Sequence, residues 1–251
     1  MFRLIRFSFK TIVLFQLLGL AFSAGVAAAY ALQLRAQQRS WGLLPGAADR
    51  ALAGDDLVSD ADVVETRAIE IDAAPEKVWP WLVQLGYGRG GWYGYPALDR
   101  PWSPAGGPPA RSADTILEEH QQLAAGDVVP IHKGGGFVVR EIDPGTSLAL
   151  YIDDAIAREQ LEDLAAEMPE EAAQAVADSD MPPYAVSWAF QLEDAPGGRT
   201  RLIERIRVRI EVRNDMQRRF MPLLGSAAFA LLRSQLQGIK ARAEGTLDAA
   251  D

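Results

Sequence analysis

Along residues 184–212 the chain alternates in steps of two. In Tyr184–Leu192 the even positions are Tyr184, Val186, Trp188, Phe190 and Leu192, and the odd ones are Ala185, Ser187, Ala189 and Gln191. After the turn signal Ala195-Pro196-Gly197-Gly198, Leu202–Val212 repeats the pattern. Its even positions are Leu202, Glu204, Ile206, Val208, Ile210 and Val212, and Arg201, Arg205, Arg207, Arg209 and Arg213 are all odd. Side chains of a strand point alternately to opposite faces, so this predicts an antiparallel hairpin with one covered and one wet face. A first strand is expected over Val63–Ile71, which is rich in β-branched residues. Further strands are expected over Asp127–Ile131, Phe137–Ile142 and Ser147–Ile152, separated by Gly134-Gly135-Gly136 and Asp143-Pro144-Gly145.

A spacing of three to four residues takes over elsewhere. Pro75–Leu85 places Val78, Leu82 and Leu85 on one helix face, opened by Pro75 and stopped by Gly86, with Pro80 allowing a break or a kink near Trp79. A short helix is expected over Ala113–Leu123, and a helical stretch in 153–180, interrupted by Pro169. From Asp215 to about Glu244 the positions Phe220, Leu223, Leu224, Ala227, Leu231, Leu236 and Ile239 predict one long helix, capped at its start by Asp215. The order gives an α+β protein: a curved antiparallel sheet with its apolar face on a long C-terminal helix. One helix does not fill the hollow of a strongly curved sheet, which leaves room for a cavity.

Thr11–Leu34 breaks from both periods: it is a run of 24 residues without a charge. As a helix it would measure about 36 Å, enough to cross a hydrocarbon core of about 30 Å. A membrane anchor over 1–39 is the first reading and a cleaved signal peptide, with Ala29-Tyr30-Ala31 as its site, the second. The small excess of positive charge before the run places the body outside the cytoplasm, in a single-pass cell-membrane protein. Residues 40–62, with Trp41-Gly42, Pro45-Gly46 and Gly54-Asp55-Asp56, read as a linker to a domain at 63–246.

Composition narrows the chemistry. With 49% hydrophobic and 24% charged residues in 251, the chain can bury a core. The net charge of −9 is a sum of unlike parts: +5 in residues 1–40 and −14 in the rest, of which −9 falls in the acidic insert 153–180. An acidic body is a poor match for nucleic acid. Zero cysteines exclude disulfides, thiolate metal sites and a cysteine nucleophile, and two histidines cannot form a three-histidine metal site. No metal or cofactor is expected, and no catalytic set stands out.

The string Ile71-Asp72-Ala73-Ala74-Pro75-Glu76-Lys77-Val78-Trp79 resembles the opening signature of the SRPBCC superfamily, the START-like and polyketide cyclase-like helix-grip domains. Trp79-Pro80-Trp81-Leu82-Val83-Gln84-Leu85-Gly86 with Gly88-Arg89-Gly90-Gly91-Trp92-Tyr93, and the closing Leu236–Glu244, are similar to a bacterial subgroup of it without established function. The chain departs from that pattern at Pro96, in the proline-rich loop 100–112 and in the acidic insert. The resemblance implies a helix-grip fold with a deep apolar pocket for a lipid, sterol or polyketide-like molecule, and it carries over no catalytic residue. A cyclase- or hydrolase-like enzyme and a protein-interaction scaffold are the alternatives.

Candidate pocket residues follow. Glu204 sits at an inward position among aliphatics, as a polar anchor or acid/base group. Arg89, Trp92, Tyr93 and Tyr95 lie in the glycine-rich loop after the first helix, as a gate. Trp81, Tyr184 and Trp188 are candidates for the wall, and Leu224 and Leu231 for the helix side. The arginine row on 201–213 is read as a solvated face, with anionic lipid or the acidic insert as the other readings.

Overall fold

In the computed structural model, residues 37–94, 112–166, 182–212 and 215–247 are described, together with positions 22, 25, 33, 35 and 174; of 215–224 only the backbone is described. All but three positions of the run Thr11–Leu34, where the anchor is expected, and nearly half of the acidic insert 153–180 lie outside the described residues. Among the described residues no helix is long and apolar enough to cross a membrane. The chain divides into two units, Met1–Gln38 and Arg39–Asp251, and every element below belongs to the second.

That unit is α+β. Six strands form one antiparallel sheet: β1 (Val63–Ile71), β2 (Val128–His132), β3 (Gly135–Asp143), β4 (Ser147–Asp153), β5 (Tyr184–Ala195) and β6 (Arg199–Ile210). Their order is β1-β6-β5-β4-β3-β2, so the first strand closes against the last and the others form a meander. Register shifts between Pro130 and His132 and between Val139 and Glu141 bend the β2–β4 side. Three helices accompany the sheet: α1 (Pro75–Val83), α2 (Asp154–Ala165) and α3 (Asp215–Glu244).

The expected elements recur with shifts of a few residues at their ends. Pro80 does not break α1, which runs on to Val83. The helix expected over Ala113–Leu123 is reduced to one 3-10 turn at Glu118–His120. Its backbone groups are taken by other parts of the fold. The buried Gln84 amide donates to Thr115 O and accepts from Leu117 N, while Ala113 binds Gly90 O through its N–H and the Arg242 guanidinium through its carbonyl. A helix cannot form from groups already engaged elsewhere.

On the α3 side, the core joins Ile71 of β1, Leu82 of α1, Leu148 and Leu150 of β4, Phe190 of β5, Leu202 of β6, and Leu236 and Ile239 of α3. The C-terminal half of α3 is tied to the end of β1: Lys240 Nζ donates to Glu70 O at 2.6 Å, and Asp72 N donates to Glu244 Oε1 at 2.6 Å. Gly238 brings α3 against the loop after α1, where a Cβ would stand 1.8 Å from Tyr93 O. Only glycine allows that approach.

The opposite face corrects the linker and wet-face expectations together. Residues 40–62 have little regular structure, as a linker would, but they are packed on the sheet and supply partners to its arginines. Arg205 donates to Thr66 Oγ1, to the carbonyls of Ala48 and Arg50, and to Asp55 Oδ2 at 2.6 Å. Arg207 binds the carbonyls of Val58 and Ser59, and Arg209 pairs with Asp60. Gly54 meets Ala149, whose neighbours across the sheet are Ala189 and then Arg205. Small residues in the middle of that row let the segment come close. Arg205 and Arg207 therefore lie under a strap rather than on a solvated face, while Arg209 stays half exposed at its edge and Arg201 pairs with Glu70 of β1.

Arg205 is 3% exposed, whereas Arg209 is half exposed. Truncating the first leaves Asp55 and two carbonyls with unmet hydrogen bonds, so Arg205→Ala should cost about 3 kcal/mol. Arg209→Ala should cost under about 0.5 kcal/mol. Urea unfolding of both variants checks this, and equal midpoints would contradict a packed strap.

Candidate ligand-binding cavity

Between the sheet and α3 lies a cavity of about 290 Å³. Period-2 alternation sends Val186 and Trp188 of β5 and Ile206 of β6 into it, joined by Phe137 of β3 and Ile131 of β2. Helix α3 contributes Ala228, Leu231, Leu232 and Gln235, and the loop after α1 contributes Trp92 and Gly94. Trp92 stacks on Trp188 with centroids 5.6 Å apart and planes 18° apart, and Phe137 meets the same indole edge-on at 5.5 Å. The result is an aromatic wall facing an aliphatic helix. Among the described residues the lining holds no titratable side chain.

Of the residues expected here, Trp92, Trp188 and Leu231 line the cavity. Tyr95 and the side chain of Leu224 lie outside the described residues. Trp81 and Tyr93 are instead core, packed edge to face at 5.8 Å. Tyr93 has a positive φ of 57° and carries the Arg242 guanidinium 4.7 Å above its ring, and burial raises its hydroxyl pKa. It fastens the loop under α3 and does not gate it. Arg89 turns back to donate to Leu85 O, Val83 O and His120 O, so it cements the end of α1 to the 3-10 turn; burial lowers its pKa. Tyr184 stands at the start of β5, half-buried, and is not part of the lining.

Glu204 points inward as the alternation requires, but it stops behind the wall rather than in it. It is fully buried, and Trp188 Nε1 donates to its Oε1 at 2.9 Å. Across the β1–β6 pair stands Arg67, also fully buried, with its Nη1 3.6 Å from Glu204 Oε2. The same guanidinium donates through Nη2 to Glu65, two residues along β1, and lies 5.5 Å from the Phe229 ring centroid. One cation thus serves two carboxylates. Arg67 Nε and Nη1 and Glu204 Oε2 have no hydrogen-bond partner among the described residues. Burial pushes the Glu204 carboxyl from 4.5 up to about 7, against the pull of Arg67 and of the indole N–H. Burial also lowers the pKa of Arg67, with Glu204 acting the other way.

Sequence reasoning did not single out the rest of the lining, among it Gln235, Phe137, Ile131, Val186, Ile206 and Leu232. Val186 and Ile206 sit on the predicted inward face of their strands. Gln235 had a signal too: it is a polar position between Leu231 and Ile239 on the apolar side of α3. His120 and His132 do not converge. The first offers its carbonyl to Arg89 and the second accepts Gly134 N on Nδ1.

No protein-family model matches the chain, and no curated protein matches it. Solved structures do. A hypothetical protein from Helicobacter pylori is 10% identical over 77% of this chain and 95% of its own, with a TM-score of 0.42. A conserved protein from Geobacillus kaustophilus is 14% identical over 73% and 97%, with a TM-score of 0.36. A protein from Mesorhizobium loti is 17% identical over 73% and 100%, with a TM-score of 0.34. None of these carries a function across.

Glu204 sets a pH dependence with a definite sign. Its folded pKa lies above the ordinary value, so the folded state holds an extra proton between about pH 4.5 and 7. The associated stability is complete at pH 4.5 and is lost as pH rises through 7. Glu204→Gln removes this titration and leaves Arg67 paired with Glu65. Between pH 5 and 8 the wild type should lose about 2–3 kcal/mol relative to the variant, read from urea midpoints. Parallel pH profiles would show that the carboxyl is not perturbed.

Proposed function

We propose that this protein is a membrane-tethered binding protein for a small hydrophobic molecule, of the SRPBCC type, with a helix-grip arrangement of sheet and α3. The observation that carries the reading is the cavity of about 290 Å³ with apolar walls. It is close to the low end of the usual size for small-molecule pockets, about 300 Å³. Its volume equals about ten water molecules, and at the density of packed organic groups it admits on the order of fifteen heavy atoms. Water gains little from such a site, because the walls offer few hydrogen bonds, whereas an apolar guest recovers the dispersion contacts that the void forgoes. The uncharged run Thr11–Leu34 supports the tether.

The enzyme alternative needs acid and base groups that meet the guest. The nearest acid described, Glu204, touches the cavity only through the Trp188 indole. A scaffold would leave the apolar hollow between the sheet and α3 without a use.

Naphthalene, with two fused rings, tests the reading. The full chain should bind it with a one-to-one stoichiometry in equilibrium dialysis. Leu231→Trp fills the space from the helix side and should weaken that binding at least tenfold while raising or preserving the melting temperature. Absence of saturable binding by the wild type would refute the reading. Organic extraction of the freshly purified chain would then identify its natural occupant.

A further inference from the structure

Trp188 belongs at once to the cavity and to the charges behind it. Its ring is part of the lining, and its Nε1 donates to Glu204 Oε1 at 2.9 Å. One indole therefore stands between the hollow and a fully buried carboxyl. Glu204 Oε2 accepts no hydrogen bond among the described residues, and Arg67 Nη1 lies 3.6 Å from it. That guanidinium is shared with Glu65. Within the sheet the other neighbours are apolar: Phe190 opposite on β5, and Leu202 and Ile206 two residues to either side along β6. The described charged groups of α3 are engaged elsewhere. Arg233 lies over Trp41, Lys240 binds Glu70 O and Glu244, and Arg242 binds Ala113 O. On α1, Glu76 and Lys77 are exposed.

We propose that occupation of the cavity is coupled to a proton on Glu204: an apolar guest binds more tightly when this carboxyl is neutral, and its binding draws a proton onto the carboxyl. This rests on the reading of the cavity as a ligand site and adds its regulation by pH. The hollow is open to solvent on one side, and water in it helps to support a negative charge one indole away. An apolar guest replaces that water and lowers the local dielectric. The carboxylate then keeps one N–H and a shared guanidinium, whereas the neutral acid loses little. Burial already pushes the Glu204 carboxyl up to about 7, so both forms are present near neutrality and a modest change in surroundings shifts their balance. The coupling is reciprocal: the factor by which the proton tightens guest binding is the factor by which the guest tightens proton binding.

Naphthalene carries no titratable group, so a pH dependence of its binding belongs to the protein. In equilibrium dialysis the full chain, checked as folded by circular dichroism, should bind it at least threefold more tightly at pH 5 than at pH 8.5. Glu204→Gln should bind it equally at both. A threefold factor corresponds to a rise of about 0.5 in the titration midpoint of Glu204, followed by its side-chain carboxyl ¹³C resonance without and with naphthalene. Leu231→Trp, which puts apolar atoms in the same space, should raise that midpoint with no guest present. The resonance of the unsubstituted chain decides alone should Glu204→Gln fail to fold. If naphthalene binds with one affinity at both pH values and the midpoint stays in place, the inference fails while the cavity reading stands. A pH dependence that persists in Glu204→Gln assigns the proton to another group, such as His120 or His132, and overturns the inference as well. If naphthalene binds at neither pH, the cavity reading falls and this inference falls with it.

Discussion

The pairing of β1 with β6 decides what each face of the sheet carries. These strands are separated by more than a hundred residues, yet their register sets Arg67 opposite Glu204 and Thr66 opposite Arg205. The first pair lies under α3 and the second under the strap. A slip of one residue would turn each set to the other face, placing Arg205 among the aliphatics and Glu204 against strap carbonyls that have no proton to give it. Alternating hydrophobicity specifies register only where the faces differ, and here the charges make them differ sharply. The closure of the sheet, the covering of both sides and the position of the Trp188 wall all follow from this one alignment.

The buried trio Glu65, Arg67 and Glu204 acquires its meaning from that register. A guanidinium between two carboxylates, away from water, is costly to assemble and more costly to break. It is better regarded as a constraint on geometry than as a source of stability. Through the indole N–H it fixes the plane of Trp188, and the ring stacked on that plane belongs to the loop after α1. The cavity wall is consequently rigid on the sheet side, while on the helix side Leu231 and Leu232 adapt their rotamers more freely.

Much of this architecture was legible in the residues, and the reason is the period-2 contrast. In β5 and β6 the two sets of side chains differ so strongly that facing directions follow from spacing alone, including the inward direction of Glu204, while most of the strand ends lie two or three residues from where spacing put them. What spacing does not contain is depth. It placed Glu204 inside but not behind Trp188, and it put Tyr93 at a pocket mouth where the close approach of Gly238 makes it core. The strap was misread for a related reason. Arginines at every second position describe a wet face equally well whether their partner is water or a stretch of backbone two dozen residues long. Likewise, Ala113–Leu123 lost its helix to Gln84 and Arg242, partners distant in sequence that no local pattern announces.

The strap is held mainly by its carbonyls. Arg205 reaches Ala48 and Arg50, and Arg207 reaches Val58 and Ser59, in each case through main-chain oxygen. Every amino acid provides that atom. At exposed Ser59 the side chain can therefore vary without loosening the grip, though Val58 is buried in its own right and Arg50 is paired with Glu193, whereas the guanidinium donors of β6 have no substitute: lysine lacks the planar fork that spans two carbonyls at once. Substitutions should accordingly accumulate unevenly across this contact, more freely at exposed strap positions that offer only a carbonyl than at Gly54, Asp55 and Val58 or in the strand that holds them.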